Sequence, residues 1–134
     1  MKRAAALVCS FLLLSGTIAS AERDLVPTLD NQPDVCPDRP PEPEWMRITE
    51  ARDAYKRLLV QQIYRFQSMG RIVNAQSCAC ATRYPSWEAA EAVYFDRYSS
   101  ADYWGVVEAT SDFRRQANEL RKQAMPICEA ADNW

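Results

Sequence analysis

The chain of 134 residues contains no histidine. That absence removes the usual general base, the usual zinc ligand and the usual side-chain switch near neutral pH. Glycine is scarce, with three residues. No stretch alternates apolar and polar residues with a period of two, which argues against strands. There is no internal repeat. Basic residues form no stripe of the kind that binds nucleic acid. Nor is there a basic amphipathic helix of the kind that lies on a membrane surface.

What is present begins with an export pattern. Met1, Lys2 and Arg3 make a positive start, and an uncharged, mostly apolar run follows from Ala4 to Ala19. The run ends in Ala19-Ser20-Ala21, the small-x-small pattern that a signal peptidase accepts. It is too short for an uncleaved membrane anchor, which needs roughly 20 apolar residues. Cys9 does not fit a lipidated cysteine, because the apolar run continues past it instead of closing there. Residues 1–21 are therefore expected to be a cleaved signal peptide, with the mature protein exported and carrying no stable membrane span. Cleavage after Ala21 leaves 113 residues, with 14 basic against 18 acidic side chains and a net charge of −4. That length suits one domain with a modest core.

Four cysteines remain, Cys36, Cys78, Cys80 and Cys128. An even number in an exported chain reads as two disulfides. Six of the eight prolines fall within residues 22–44, where apolar residues are few. This segment is expected to be an extended, poorly ordered arm that Cys36 ties to the domain. Residues 45–134 form the helical domain.

Trp45, Ile48, Tyr55, Leu58, Leu59, Ile63 and Phe66 recur at helical steps with charges between them, which predicts an amphipathic first helix. Pro43 and Glu44 suit its start, and Gly70 its stop, although Ile72 and Val73 could continue the stripe past it. Residues 74–86 read as a connection. Ser86 after Pro85 is a candidate N-cap for a second helix marked by Trp87, Ala90, Val93 or Tyr94, and Tyr98. Ser99-Ser100 either cap a third helix or lie in a longer second one. Tyr103, Val106, Thr110, Phe113, Ala117, Leu120, Ala124, Ile127 and Ala131 form a heptad seam, which Pro126 is expected to bend or end. The fold expectation is all-α: a small, disulfide-stapled bundle of about three helices.

Chemistry-bearing motifs are few. Cys78-Ala79-Cys80 is the one candidate for a redox pair, in which one thiolate attacks a substrate disulfide and its neighbour resolves it. A bridge between residues two apart fits disulfide geometry poorly, and Arg83 is the only cation nearby to stabilise a thiolate. The competing expectation is that each cysteine bridges a distant partner. A four-cysteine zinc site lacks the two short ligand pairs such sites use, so neither a metal nor a cofactor is expected. Glu88 with Glu91, and Glu119 with Lys122, share helical faces and read as solvated surface. Trp104 and Val107 flank the heptad seam and are the best candidates for an apolar partner contact, against a competing reading as core.

The run Cys78-Ala-Cys-Ala-Thr-Arg-Tyr-Pro-Ser-Trp-Glu, with Phe113-Arg-Arg-Gln-Ala-Asn-Glu-Leu-Arg and Ile127-Cys128-Glu, resembles small exported proteins associated with type IV secretion and conjugation gene sets of Gram-negative bacteria. The resemblance covers about the C-terminal half. It implies a periplasmic accessory that binds protein partners in the cell envelope, with no catalytic residues to carry over. The alternatives are a thiol-disulfide oxidoreductase using Cys78 and Cys80, and a periplasmic inhibitor or chaperone using the arm.

Chain reach narrows the disulfides. A helix unbroken from Glu44 to Ser77 would separate its ends by roughly 50 Å. Eight extended residues carry Cys36 less than about 30 Å beyond Glu44. The first helix is therefore expected to end or bend near Gly70. Cys36 then bridges one of Cys78 and Cys80, and Cys128 takes the other.

Overall fold

The computed structural model describes Cys36 and residues 39–134. The expected signal peptide (residues 1–21) and most of the expected proline-rich arm (residues 22–44) lie outside the described residues. The described part is all-helical. A short helix α1 (Glu44–Arg47) and a 3₁₀ turn (Ala51–Asp53) lead into α2 (Ala54–Ala75). A short α3 (Cys80–Arg83), then α4 (Glu88–Arg97) and α5 (Tyr103–Glu129) follow.

Three main helices make the bundle. α2 and α5 share the principal interface, and α4 packs on α2. Contacts at matching depths fix the directions. Tyr55 meets Tyr103, Phe66 meets Phe113, and Gly70 faces Leu120, so α2 and α5 run parallel. Tyr64 stacks on Trp87 while Tyr55 lies near Tyr94, so α4 runs antiparallel to α2.

The buried stripe of α2 comprises Leu59, Val60, Ile63, Tyr64, Ser68 and Ile72. That of α5 is mostly small: Val106, Ala109, Thr110, Ala117, Ala124 and Cys128. The bulk at their seam therefore comes chiefly from α2. Two clusters result. The larger joins Met46, Leu59, Val60, Ile63 and Tyr64 to Trp87, Ala90, Tyr94, Val106 and Ala109. The smaller joins Ile72, Cys78, Ala124 and Cys128.

Several expected boundaries move. The break in the first helix lies at its beginning, not at Gly70. Ile48 is 73% exposed and leaves the apolar stripe. The Thr49 hydroxyl donates to the Trp45 carbonyl (2.6 Å), and Glu50 is extended. Trp45 stacks on Tyr94 and donates through Nε1 to Glu91 (2.8 Å), contacts that a continuous helix would not provide. α2 then passes through Gly70, where an added Cβ would meet only Leu120 Cδ1 at 3.8 Å. It stops at Gln76, whose left-handed backbone (φ 48°) accompanies a hydrogen bond from Ser77 N to Ile72 O. The Gln76 side chain also donates to Val73 O (2.7 Å). These bonds satisfy carbonyls that a helix end leaves open.

Ser86 does not cap α4; its hydroxyl faces the Glu88 carboxylate instead. Ser99 and Ser100 do not cap α5 either. That role falls to Asp102, which accepts from Gly105 N (2.8 Å). α5 continues through Pro126 to Glu129. Pro126 and Lys122 are both exposed, so the carbonyl that loses its partner at residue 122 is open to water. Ala131, expected on the seam, lies beyond the helix and is exposed.

Candidate functional site

The four cysteines form two bridges at one end of the bundle, Cys36–Cys80 and Cys78–Cys128. This is the expected division, reached by a different route. The break at residues 48–53 lets the N-terminal segment double back along α2. Glu42 pairs with Arg57 (2.7 Å) and accepts from Gln61 (2.6 Å). Pro40 O accepts from Trp87 Nε1 (2.9 Å), and the Arg39 guanidinium lies over Tyr64 and Trp87. Cys36 then reaches Cys80 without any bend at Gly70.

Cys78 and Cys128 are buried, whereas Cys36 and Cys80 are half-buried. Asn133 joins the two bridges: its side-chain Nδ2 donates to Cys78 O (2.8 Å) and contacts Cys36 Sγ (3.1 Å). Arg83, read from sequence as a cation for a reactive thiolate, donates to the Asn133 carbonyl instead. Arg83 and Arg121 both lie over the Trp134 ring. Cys78 and Cys80 thus sit in separate bridges, and neither resolves the other.

The opposite end carries three exposed aromatic side chains, while Trp134 at the disulfide end is 42% exposed. Trp104 is 73% exposed, Phe95 52% and Tyr103 50%. They continue two chains of aromatic contacts. Trp45, Tyr94 and Phe95 touch one another on one side. Tyr55, Tyr103 and Trp104 touch in series on the other. Trp104 lies on the surface, as a partner contact requires, and Val107 is half-buried beside the seam. Tyr103 belongs to this surface rather than to the core seam. Phe95 was not singled out from sequence, and Ile48 was placed in the buried stripe of the first helix although it is exposed. Phe95 follows the buried Tyr94 directly, which turns it away from the face that α4 packs on α2.

Burial pushes the Tyr94 and Tyr64 hydroxyls above the ordinary tyrosine range. Tyr64 donates to Pro85 O (2.9 Å), which keeps it in the neutral form. At the base of the aromatic end, Lys56 hydrogen-bonds Asp53 (2.7 Å) and holds that carboxyl below its usual range. Of the carboxylates noted from sequence, Glu91 is taken up by Trp45 and Glu119 by Lys122 (2.8 Å). Glu88 faces Ser86. Among the described residues no group of His, Cys, Asp and Glu has the arrangement of a metal site. No helix among them is long and apolar enough to cross a membrane.

Compared with protein-family models, curated proteins and solved structures, the chain matches none.

Proposed function

We propose that the mature chain is a non-catalytic periplasmic accessory protein that binds other proteins of the cell envelope, within a type IV secretion or conjugation apparatus. The observation that carries the binding reading is the aromatic end, where Trp104, Phe95 and Tyr103 stand exposed, Tyr103 against the half-buried Tyr55 and Phe95 against the buried Tyr94. Large apolar side chains held in place by a packed layer lose little entropy on docking, and tryptophan and tyrosine dominate binding hot spots. The assignment to a secretion apparatus rests on the resemblance of the C-terminal half.

Mild crosslinking in the periplasm, followed by recovery of the tagged protein, tests this reading. The expected result is one discrete crosslinked product for the parent chain, lost in Trp104→Ala while the variant remains folded. A protein recovered only as an uncrosslinked monomer sinks the proposal. The same product in the Trp104→Ala variant removes the aromatic end from it.

A further inference from the structure

Within its own chain the molecule already holds a basic, proline-rich segment against aromatic rings. Residues 39–43 read Arg-Pro-Pro-Glu-Pro and lie outside any helix. Pro43 has the torsions of an extended proline (φ −49°, ψ 146°). Tyr64 and Trp87 stack on each other at 4.0 Å beside this segment. Trp87 Nε1 donates to the Pro40 carbonyl (2.9 Å), and the Arg39 guanidinium lies over both rings at 5.7 and 5.3 Å. An indole donor and two ring faces thus engage a segment that has few backbone donors of its own. Proline-rich chain suits this mode because it is extended before docking and loses little entropy.

The aromatic end offers the same parts to solvent. Tyr55, Tyr103 and Trp104 form a row of rings, each set steeply to the next, with centroids 4.9 and 5.0 Å apart. Those spacings, 4.9 and 5.0 Å, give a row of at most about 10 Å. One turn of a polyproline II helix, three residues at about 3.1 Å each, has nearly that length. Trp104 and Tyr103 are 73% and 50% exposed. Trp45 and Trp87 direct their Nε1 to protein acceptors, whereas among the described residues none accepts from Trp104 Nε1. Glu108 follows Trp104 by one helical turn on the same face of α5 and is exposed. It makes no ion pair among the described residues. Asp102, just before Tyr103, adds a second exposed carboxylate. The charge beside the row therefore favours a cation on whatever docks there. It disfavours a second copy's arm, because residues 22–44 carry seven acidic against two basic side chains.

We propose that the aromatic end binds an extended, proline-rich segment of a partner protein that carries arginine or lysine beside its prolines. This rests on the aromatic end being a contact surface and names what it contacts. Proline rings lie on the exposed ring faces, a partner carbonyl accepts from Trp104 Nε1, and the partner's cation pairs with Glu108.

The probe is a synthetic peptide of four Arg-Pro-Pro repeats, titrated into the mature, oxidised chain at fixed low ionic strength. The indole Nε1–Hε1 signals of the four tryptophans are followed by nuclear magnetic resonance. The expected result is a saturable shift at Trp104, with Trp87, already bonded to Pro40, unmoved. Peptides of four Glu-Pro-Pro or four Arg-Gly-Gly repeats bind about tenfold more weakly or worse, the first lacking the cation and the second the prolines. Trp104→Ala weakens Arg-Pro-Pro binding about tenfold or more and Glu108→Gln about threefold, with the parent circular dichroism spectrum kept. Trp104→Phe, which keeps a ring and loses the N–H, falls between parent and alanine variant. Equal binding of the Arg-Gly-Gly peptide overturns the proposal, since charge alone would then suffice. Equal binding of the Glu-Pro-Pro peptide overturns the charge argument and the proposal with it. A Trp104 signal that moves with protein concentration before any peptide is added places a second copy on this surface and also overturns it. If no peptide binds while the crosslinked product still depends on Trp104, the contact surface stands and the proline-rich partner falls.

Discussion

Where α2 and α5 finish, the chain is fastened by two covalent bridges, a hydrogen-bonded Asn133 and arginines over Trp134. Where they begin, it is held by aromatic rings, mostly in edge-to-face contact, whose outermost members, Trp104, Tyr103 and Phe95, remain exposed. The first end has a small apolar cluster, four buried residues with three partly buried neighbours. A cluster of that size offers little hydrophobic stabilisation, and the bridges compensate by restricting the unfolded chain. The second end belongs to the larger cluster, which needs no bridge and leaves apolar surface over. Division of labour follows: one end secures the fold, and the other is free to present side chains.

Two tryptophans give the sharpest contrast. Trp87 is 4% exposed, stacks on Tyr64 at 4.0 Å and donates to Pro40 O. Trp87→Ala should lower stability by about 3–5 kcal/mol, measured by urea denaturation. A loss under about 1 kcal/mol would mean that the larger cluster does not depend on it.

Replacing both Cys78 and Cys128 by alanine should lower stability by about 2–5 kcal/mol. The same change at Cys36 and Cys80 should cost less. The bridges span separations of 50 and 44 residues, so their chain-entropy contributions differ by only about 0.1 kcal/mol. What separates them is burial, since only the Cys78–Cys128 sulfurs leave a cavity in a packed cluster. Equal losses in thermal melts of the two double variants would show that packing around the bridges contributes nothing.

At the aromatic end, Asp102→Ala removes the cap of α5 and should cost about 1 kcal/mol. Asp102→Asn should recover most of that, because the amide oxygen accepts the same bond. An alanine variant as stable as the parent would place the start of α5 under the control of aromatic packing alone. Smallest of all, Trp104→Ala should change stability by no more than about 0.5 kcal/mol, as exposed positions do. A larger loss in the same denaturation experiment would make Trp104 a structural member of its aromatic row and weaken its candidacy as a contact.

Much of the architecture was legible from periodicity. The stripes of α2 and α5 are the apolar repeats around Leu59 to Phe66 and Val106 to Ile127, and a helical spacing so regular leaves few other conformations that bury it. Helix ends were less legible. Gly70, Ser86 and Pro126 are each common boundary residues, yet none marks a boundary as expected. Local preference is worth about 1 kcal/mol at a glycine or a cap, and tertiary packing overrides it. The candidate contact Trp104 was readable from its position off the seam. Tyr103 was misread because a heptad position is buried only where a partner helix extends far enough to cover it.

The amino-acid sequence by itself determined the helical class and the central parts of the two long amphipathic stripes. Those follow from properties that each residue carries locally; the division of the cysteines was expected from chain reach, but through a break near Gly70 that the structure places at residues 48–53 instead. Which cysteine of the close pair takes which partner was decided only in three dimensions. Trp45 stacked on Tyr94, together with Trp87 bonded to Pro40, sets the path of the arm, and that path delivers Cys36 to Cys80. The parallel course of α5 beside α2 leaves Cys128 against Cys78. Tertiary structure also gathered Tyr55, Tyr103 and Trp104 into one row, because rings far apart along the chain share a surface only once packing has fixed the helices that carry them.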